Sequence, residues 1–212
     1  MSFTTATWAY ALTHKHELAV AVGVHLELSV AALSLGCAAG VALGIWSAHS
    51  RYGNAVVAAV NGLRVIPSLA VLTFMLPLFG LGFIPSLCAL TLLAWPPVLI
   101  NTDIGFRGVA AGVKEAAYGM GMRRGQVILR IETPLALPVI VAGVRTAAVE
   151  VIASATLATF IGGGGLGDFI VRGLENNDAR SLVLGALCVA ALALGAEALL
   201  AAAERRVAAA VA

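Results

Sequence analysis

Five long apolar runs decide what this chain is able to become. They extend roughly over Leu18–Ala48, Ala55–Leu78, Pro85–Gly105, Leu135–Phe160 and Ser181–Ala203. A helix needs about 20 mainly apolar residues to cross the ~30 Å hydrocarbon core of a bilayer. In that medium only a helix or a closed barrel satisfies its own backbone. Each run is long enough. The chain is 60% hydrophobic and 11% charged over 212 residues, against ~25% charged residues in a soluble domain. The expected fold is therefore all-α: a polytopic membrane bundle of about five transmembrane helices, with 1–212 forming a single transmembrane domain in the lipid bilayer. A net charge of +2 is too small to support nucleic-acid binding.

The placement of the basic residues orients the bundle. With five spans, Arg51, Arg107, Lys114, Arg123, Arg124, Arg130, Arg205 and Arg206 fall on one side, and Lys15, Arg172 and Arg180 on the other. Positive charge concentrates on the cytosolic side. The N-terminus is thus expected outside and the segment at about 107–134 in the cytosol. Trp8, Tyr10, Trp46 and Tyr52 bracket the first run as interfacial aromatics do. The opening stretch "MSFTTATWAYALTHKHE" lacks a basic n-region and a clear cleavage site, so the first run is expected to be an uncleaved span. Cys37, Cys88 and Cys188 sit in different runs without metal-ligand spacing, and no metal site is expected. His14, His16, His25 and His49 show no ligand spacing either and are expected at surface or interfacial positions.

Four ionisable residues lie deep in the runs: Glu27, Arg64, Arg145 and Glu150. Each is roughly 14 Å from the nearer end of its span at 1.5 Å per residue. An unpaired charge there costs on the order of 2.5–3.5 kcal/mol, so all four are expected to face the bundle interior and meet partners or water. Two roles are open: they line or gate a translocation path, or they form ion pairs that fix helix register. Arg145 and Glu150 are five residues apart and project to different faces, so each should pair with another span. Pro67 follows Arg64 by three residues and is expected to kink that span into a hinge. Glu197 is expected to snorkel or to pair with a nearby arginine.

The segment "VKEAAYGMGMRRGQVILRIETPLALP" reads as a short helix, a glycine-marked break, a second short helix and a proline at the start of the next span. Ala116 and Ala117 give a face almost without side chains, which a neighbouring protein could approach closely. The segment resembles the cytosolic loop of ABC importer permeases, whose pattern is E-A-A-x3-G-x9-I-x-L-P. Glu115, Ala116, Ala117, Gly121, Ile131 and Pro134 occupy the matching positions, with Thr133 in place of the leucine.

The resemblance continues through "HLELSVAALSLGCAAGVALGI", "VIPSLAVLTFMLPLFGLG" and "PLALPVIVAGVRTAAVEVIASATLATFIGGGGLGDFI". From about His25 to the last span, the chain is similar to the permease subunit of osmoprotectant ABC importers, the glycine betaine, carnitine and choline class. That resemblance implies a type I permease fold in a bacterial cell membrane. It also implies ABC ATP-binding subunits docked on the Glu115–Gly121 loop, a second permease subunit (identical or not) and an external solute-binding protein. On that reading the chain binds no cofactor itself and ATP and Mg sit on the partner ATPase.

An independent check agrees with this division. A P-loop needs lysine directly after glycine, and the two lysines, Lys15 and Lys114, follow His14 and Val113. Gly162, Gly164 and Gly167 satisfy GxGxxG, but at the end of a span and not after a strand, so no dinucleotide site is expected. The run Gly162, Gly163, Gly164, Gly165 and Gly167 reads as a tight external turn or re-entrant entry, serving either gating or close packing. The alternative to an ATP-driven permease is a self-sufficient secondary carrier or channel that uses the buried charges as a relay. It has no use for an ATPase-shaped loop.

Overall fold

The computed structural model describes residues 3–211. The helices are α1 (Phe3–Thr13), α2 (Lys15–Ala48), α3 (Gly53–Leu63), α4 (Ser68–Phe74), α5 (Leu76–Phe79), α6 (Phe83–Arg107), α7 (Ala111–Gly119), α8 (Arg124–Val127), α9 (Thr133–Ala155), α10 (Gly167–Glu175) and α11 (Ala179–Val211). A π turn over Ile128–Glu132 joins α8 to α9, and a 3-10 segment over Thr156–Ile161 continues α9. Among the described residues, four helices are long and apolar enough to cross a membrane, or five spans when the bent pair α3 and α4–α5 counts as one.

Helix α6 is the central element, packed between α2 and α9. What brings α2 so close is a run of glycines at every fourth position. A Cβ on Gly36 would lie 2.5 Å from Ala94 Cβ, one on Gly40 2.9 Å from Val98 Cβ, and one on Gly44 2.5 Å from Thr102 Cβ. The matched steps make α2 and α6 parallel, with backbones near contact, as small residues permit where lipid removes the usual hydrophobic drive. Helix α9 runs antiparallel to α6. Gly105 faces Ala136, and Gly143 faces the Pro97 carbonyl and Asn101. The core is made of Leu28, Ala32, Leu72, Leu90, Val98, Ala147, Val151 and Ile161, all buried. Helix α11 lies on α9 at the edge of the bundle, largely open to its surroundings, with α1 against its first turns.

The run expected as a continuous span over Ala55–Leu78 is broken rather than kinked. Helix α3 and the α4–α5 pair meet at 92°, with Arg64 capping the first and Pro67, at φ −57 and ψ 136, opening the second. Pro67 imposes the extended backbone and removes an N–H. Packing of α4 on α6 and on the 3-10 segment then holds the second arm aside. The break leaves Val65 84% exposed.

The contacts define two ends. Ser47, His49, Arg107, Lys114 and Glu132 meet at one, the Arg-rich end. At the opposite end the Gly82 N–H donates to the Ile161 carbonyl at 2.8 Å, and Arg172 meets Glu17.

Candidate functional site

The Arg-rich end is organised around one buried carboxylate. Glu132, the last residue of the π turn, is 2% exposed. Its Oε1 lies 3.0 Å from Lys114 Nζ and its Oε2 2.7 Å from His49 Nε2. Lys114 also donates to the Phe106 carbonyl at 3.1 Å, and the His49 ring stands edge-on to the Phe106 ring. A buried carboxylate is tolerated only when such partners satisfy it. Beside this cluster Arg107 Nε pairs with buried Asp103 Oδ2 at 2.7 Å and Arg107 Nη2 donates to the Ser47 carbonyl at 3.2 Å. The ends of α2, α6, α7 and α9 are therefore tied together by charge-assisted bonds, the strong kind.

Helix α7 lies across this cluster. Lys114 turns inward to Glu132, and Ala117, three residues on and hence on the same face, is 1% exposed. Glu115 and Ala116 turn outward, joined by Tyr118 and Met120. The expectation that both alanines present a bare outer face is thus corrected. They are about 100° apart on a helix, and only Ala116 is outward. Gly121 has φ +80, a left-handed backbone that costs other residues about 1–2 kcal/mol. Its N–H donates to the Tyr118 carbonyl at 2.9 Å, and Met122 N–H to the Ala117 carbonyl at 3.2 Å, closing the helix. Ile131 and Pro134 lie outside α7, in the π turn and in the first turn of α9. Thr133, standing where the resembling pattern has leucine, donates both its hydroxyl, at 2.7 Å, and its backbone N–H to the Ile128 carbonyl. The hydroxyl gives the widened turn a second donor.

The four deep charges do not form one cluster. Arg145 on α9 reaches α11, with Nε 3.3 Å from Glu197 Oε1 and Nη1 2.7 Å from Glu204 Oε2. It pairs with another span, as its spacing from Glu150 required, and Glu197 has its nearby arginine. Glu150 is half-buried and makes no ion pair with Arg64 or Arg145. Glu27 and Arg64 are exposed on the surface of the chain, which corrects the expectation of an interior position. Helix α2 buries the face that carries Leu28, Ser29, Ala32 and Gly36, turning Glu27 away, and Arg64 sits at the corner of the broken span.

The glycine run at the opposite end is a packed turn. Gly162, Gly164 and Gly165 have φ of 77°, 70° and 98°. A Cβ on Gly163 would lie 2.3 Å from Ser86 Oγ, and one on Gly167 2.1 Å from the Thr156 carbonyl oxygen. Gly165 lies over His25, which is 1% exposed and hydrogen-bonded through Nε2 to the Ile152 carbonyl at 3.0 Å. An interfacial His25 is thereby corrected, since the turn folds back over it. Thr159 donates to Asp168 Oδ1 at 2.7 Å. A cavity of about 420 Å³ opens beside the run, with Glu17, Asp168 and Arg172 in its wall. The Glu17 hydrogen bond raises the Arg172 guanidinium above its ordinary value, and the Arg180 bond lowers the Asp178 carboxyl.

Sequence reasoning missed Glu132, Asp103 and His49 as interior or linking groups. Two signals were present: the i,i+4 spacing of Asp103 and Arg107, and a carboxylate beside the Thr133–Pro134 helix start.

Comparison with known proteins converges on one class. The family described as binding-protein-dependent transport system inner membrane component matches residues 40–209. The chain is 44% identical over 183 residues to the carnitine transport permease protein OpuCB of Listeria monocytogenes, covering 86% of this chain and 84% of that protein. It is 41% identical over 196 residues to the glycine betaine/carnitine/choline transport system permease protein OpuCB of Bacillus subtilis, covering 92% and 90%. Among solved structures, a chain of the inward-facing MetNI methionine ABC transporter superposes with a TM-score of 0.78 over 92% of this chain and 96% of that one. At 22% identity that likeness concerns the fold.

Proposed function

Because the chain belongs to the family of inner membrane components of binding-protein-dependent transport systems, we propose that it is the permease subunit of an importer for a small osmoprotectant such as glycine betaine, choline or carnitine. On this reading, separate ATP-binding subunits hold ATP and Mg and dock on α7. An external solute-binding protein delivers the solute at the end bearing the glycine turn. A second permease subunit completes the path, in the cell membrane of a bacterium with α1 outside. The chain acts as one transmembrane domain. It performs no hydrolysis itself.

The observation that carries the reading is α7. Glu115 and Ala116 face outward at the Arg-rich end, with Tyr118 exposed on the same short helix and Met120 at its C-cap, while Lys114 and Ala117 anchor it from beneath. A helix that projects polar and apolar groups while being tied to three spans is suited to receive a push from a partner. The names of the relatives support the solute class.

The test is reconstitution of the chain with its ATPase and binding protein in vesicles. Uptake of labelled glycine betaine, choline or carnitine should require ATP and every subunit. Accumulation by the chain alone, abolished by collapsing a proton gradient, would establish the secondary carrier instead.

A further inference from the structure

The hydrogen-bond pattern around His49 fixes a proton count. Nδ1 lies 2.8 Å from the Ile45 carbonyl oxygen. A carbonyl only accepts, so Nδ1 carries a hydrogen and donates. Nε2 lies 2.7 Å from Glu132 Oε2. A neutral ring already protonated on Nδ1 would present a lone pair to that oxygen, so the contact needs one more proton, on Nε2 or on the carboxyl. One proton is thus shared between His49 Nε2 and Glu132 Oε2, with Lys114 Nζ 3.0 Å from the other carboxylate oxygen.

We propose that Glu132 is the positioning residue of α7: its carboxyl group, clamped between Lys114 Nζ of α7 and His49 Nε2 at the end of α2, transmits displacement of α7 to the spans. This rests on the reading of α7 as the ATPase dock. Lys114 holds α7 to the clamp and, through the Phe106 carbonyl at 3.1 Å, to α6. His49 holds α2 through the Ile45 carbonyl. Glu132 itself belongs to the π turn that runs into α9. One carboxylate thus joins the docking helix to three spans. Arg107 makes a separate link through Asp103 and Ser47, so the bundle end keeps a second fastening when the clamp is removed.

The experiment uses the complete reconstituted transporter and reads labelled solute moved per ATP hydrolysed, with ATPase co-purification scored alongside. Lys114→Met and Glu132→Ala should lower that ratio about fivefold or more, the lower range of coupling between two sites, while the ATPase still co-purifies. Glu132→Gln should recover most of it, because its amide oxygen accepts from Lys114 and its amide N–H donates to the lone pair of a neutral His49. An unchanged ratio in both Lys114→Met and Glu132→Ala overturns the proposal, and so does an equal loss in Glu132→Gln and Glu132→Ala. If Glu132→Ala does not assemble, Lys114→Met on the half-exposed side of the clamp decides. Failure of the unaltered chain to retain an ATPase or to transport with it refutes the docking reading instead, so the two failures are distinguishable.

Discussion

Arg145 on α9 bonds Glu204 on α11 at 2.7 Å and makes no ion pair with Glu150 on its own helix. Helix α11 has little buried surface with which to hold its register, and a bridged arginine supplies direction where apolar packing is thin. Both groups are about one-third exposed at most, which places the pair between the surface and buried cases.

If this bridge fixes the register of α11, Arg145→Met should lower the melting temperature of the detergent-purified chain. Adding Glu204→Gln should restore part of the loss, because the second change removes one of the two carboxylates, Glu197 and Glu204, left without their arginine. Contacting pairs couple by about 0.5–3 kcal/mol. A double variant whose loss is the sum of the single losses would show the two side chains acting independently.

Along the α2–α6 contact, Gly40→Leu should sharply reduce folded protein, because a Cβ at Gly40 already meets Val98 Cβ at 2.9 Å and overpacking costs about 1–3 kcal/mol or more. Gly23, on the same helix, has nothing within 4 Å of its Cβ position. Gly23→Ala should therefore be neutral or mildly stabilising, since alanine exceeds glycine by about 1 kcal/mol in a helix. Expression and thermal stability of the two variants check both expectations.

Gly121→Val acts through backbone strain, for open space surrounds the Cβ position and φ is +80. Membrane insertion should be normal, with uptake lost relative to ATP hydrolysis, and Gly121→Asn should be milder because asparagine tolerates the left-handed region. In parallel, Glu115→Lys should weaken co-purification with the ATPase. Full uptake by Gly121→Val would remove α7 from the coupling route.

Arg64→Ala tests the broken span. Its side chain is exposed at the corner, so the variant should assemble normally and stall transport if Arg64 gates. Uptake that falls only in proportion to the amount of protein in the membrane would show a structural role.

The spans were legible because length and apolarity are local properties. Four of the five expected runs are found with ends shifted by a few residues to about a turn or two. The fifth misled, since Pro67 announces a change of direction without its size, and the 92° corner depends on where α4 finds α6 and the 3-10 segment. Glu132 was hidden for a related reason. In the chain it sits at the margin of a polar segment, and its burial exists only once α7 folds back over it. The glycines at 36, 40 and 44 did carry a visible spacing, masked within a stretch of small residues. The partners of Arg145 lie more than fifty residues away on an edge helix, a distance that no local pattern reports.

From Arg124 to Ile161 the helical path is continuous over 38 residues, or roughly 57 Å at 1.5 Å per residue. Gly143 falls at its midpoint and rests on Asn101 and the Pro97 carbonyl, a fulcrum with no side chain of its own to obstruct rocking. A beam balanced there swings its two tips oppositely: rotating it by roughly 5° carries each about 2–3 Å. A push on Arg124 would then reach the Ile152 carbonyl that holds His25 through the helix backbone, alongside the link that Glu132 makes.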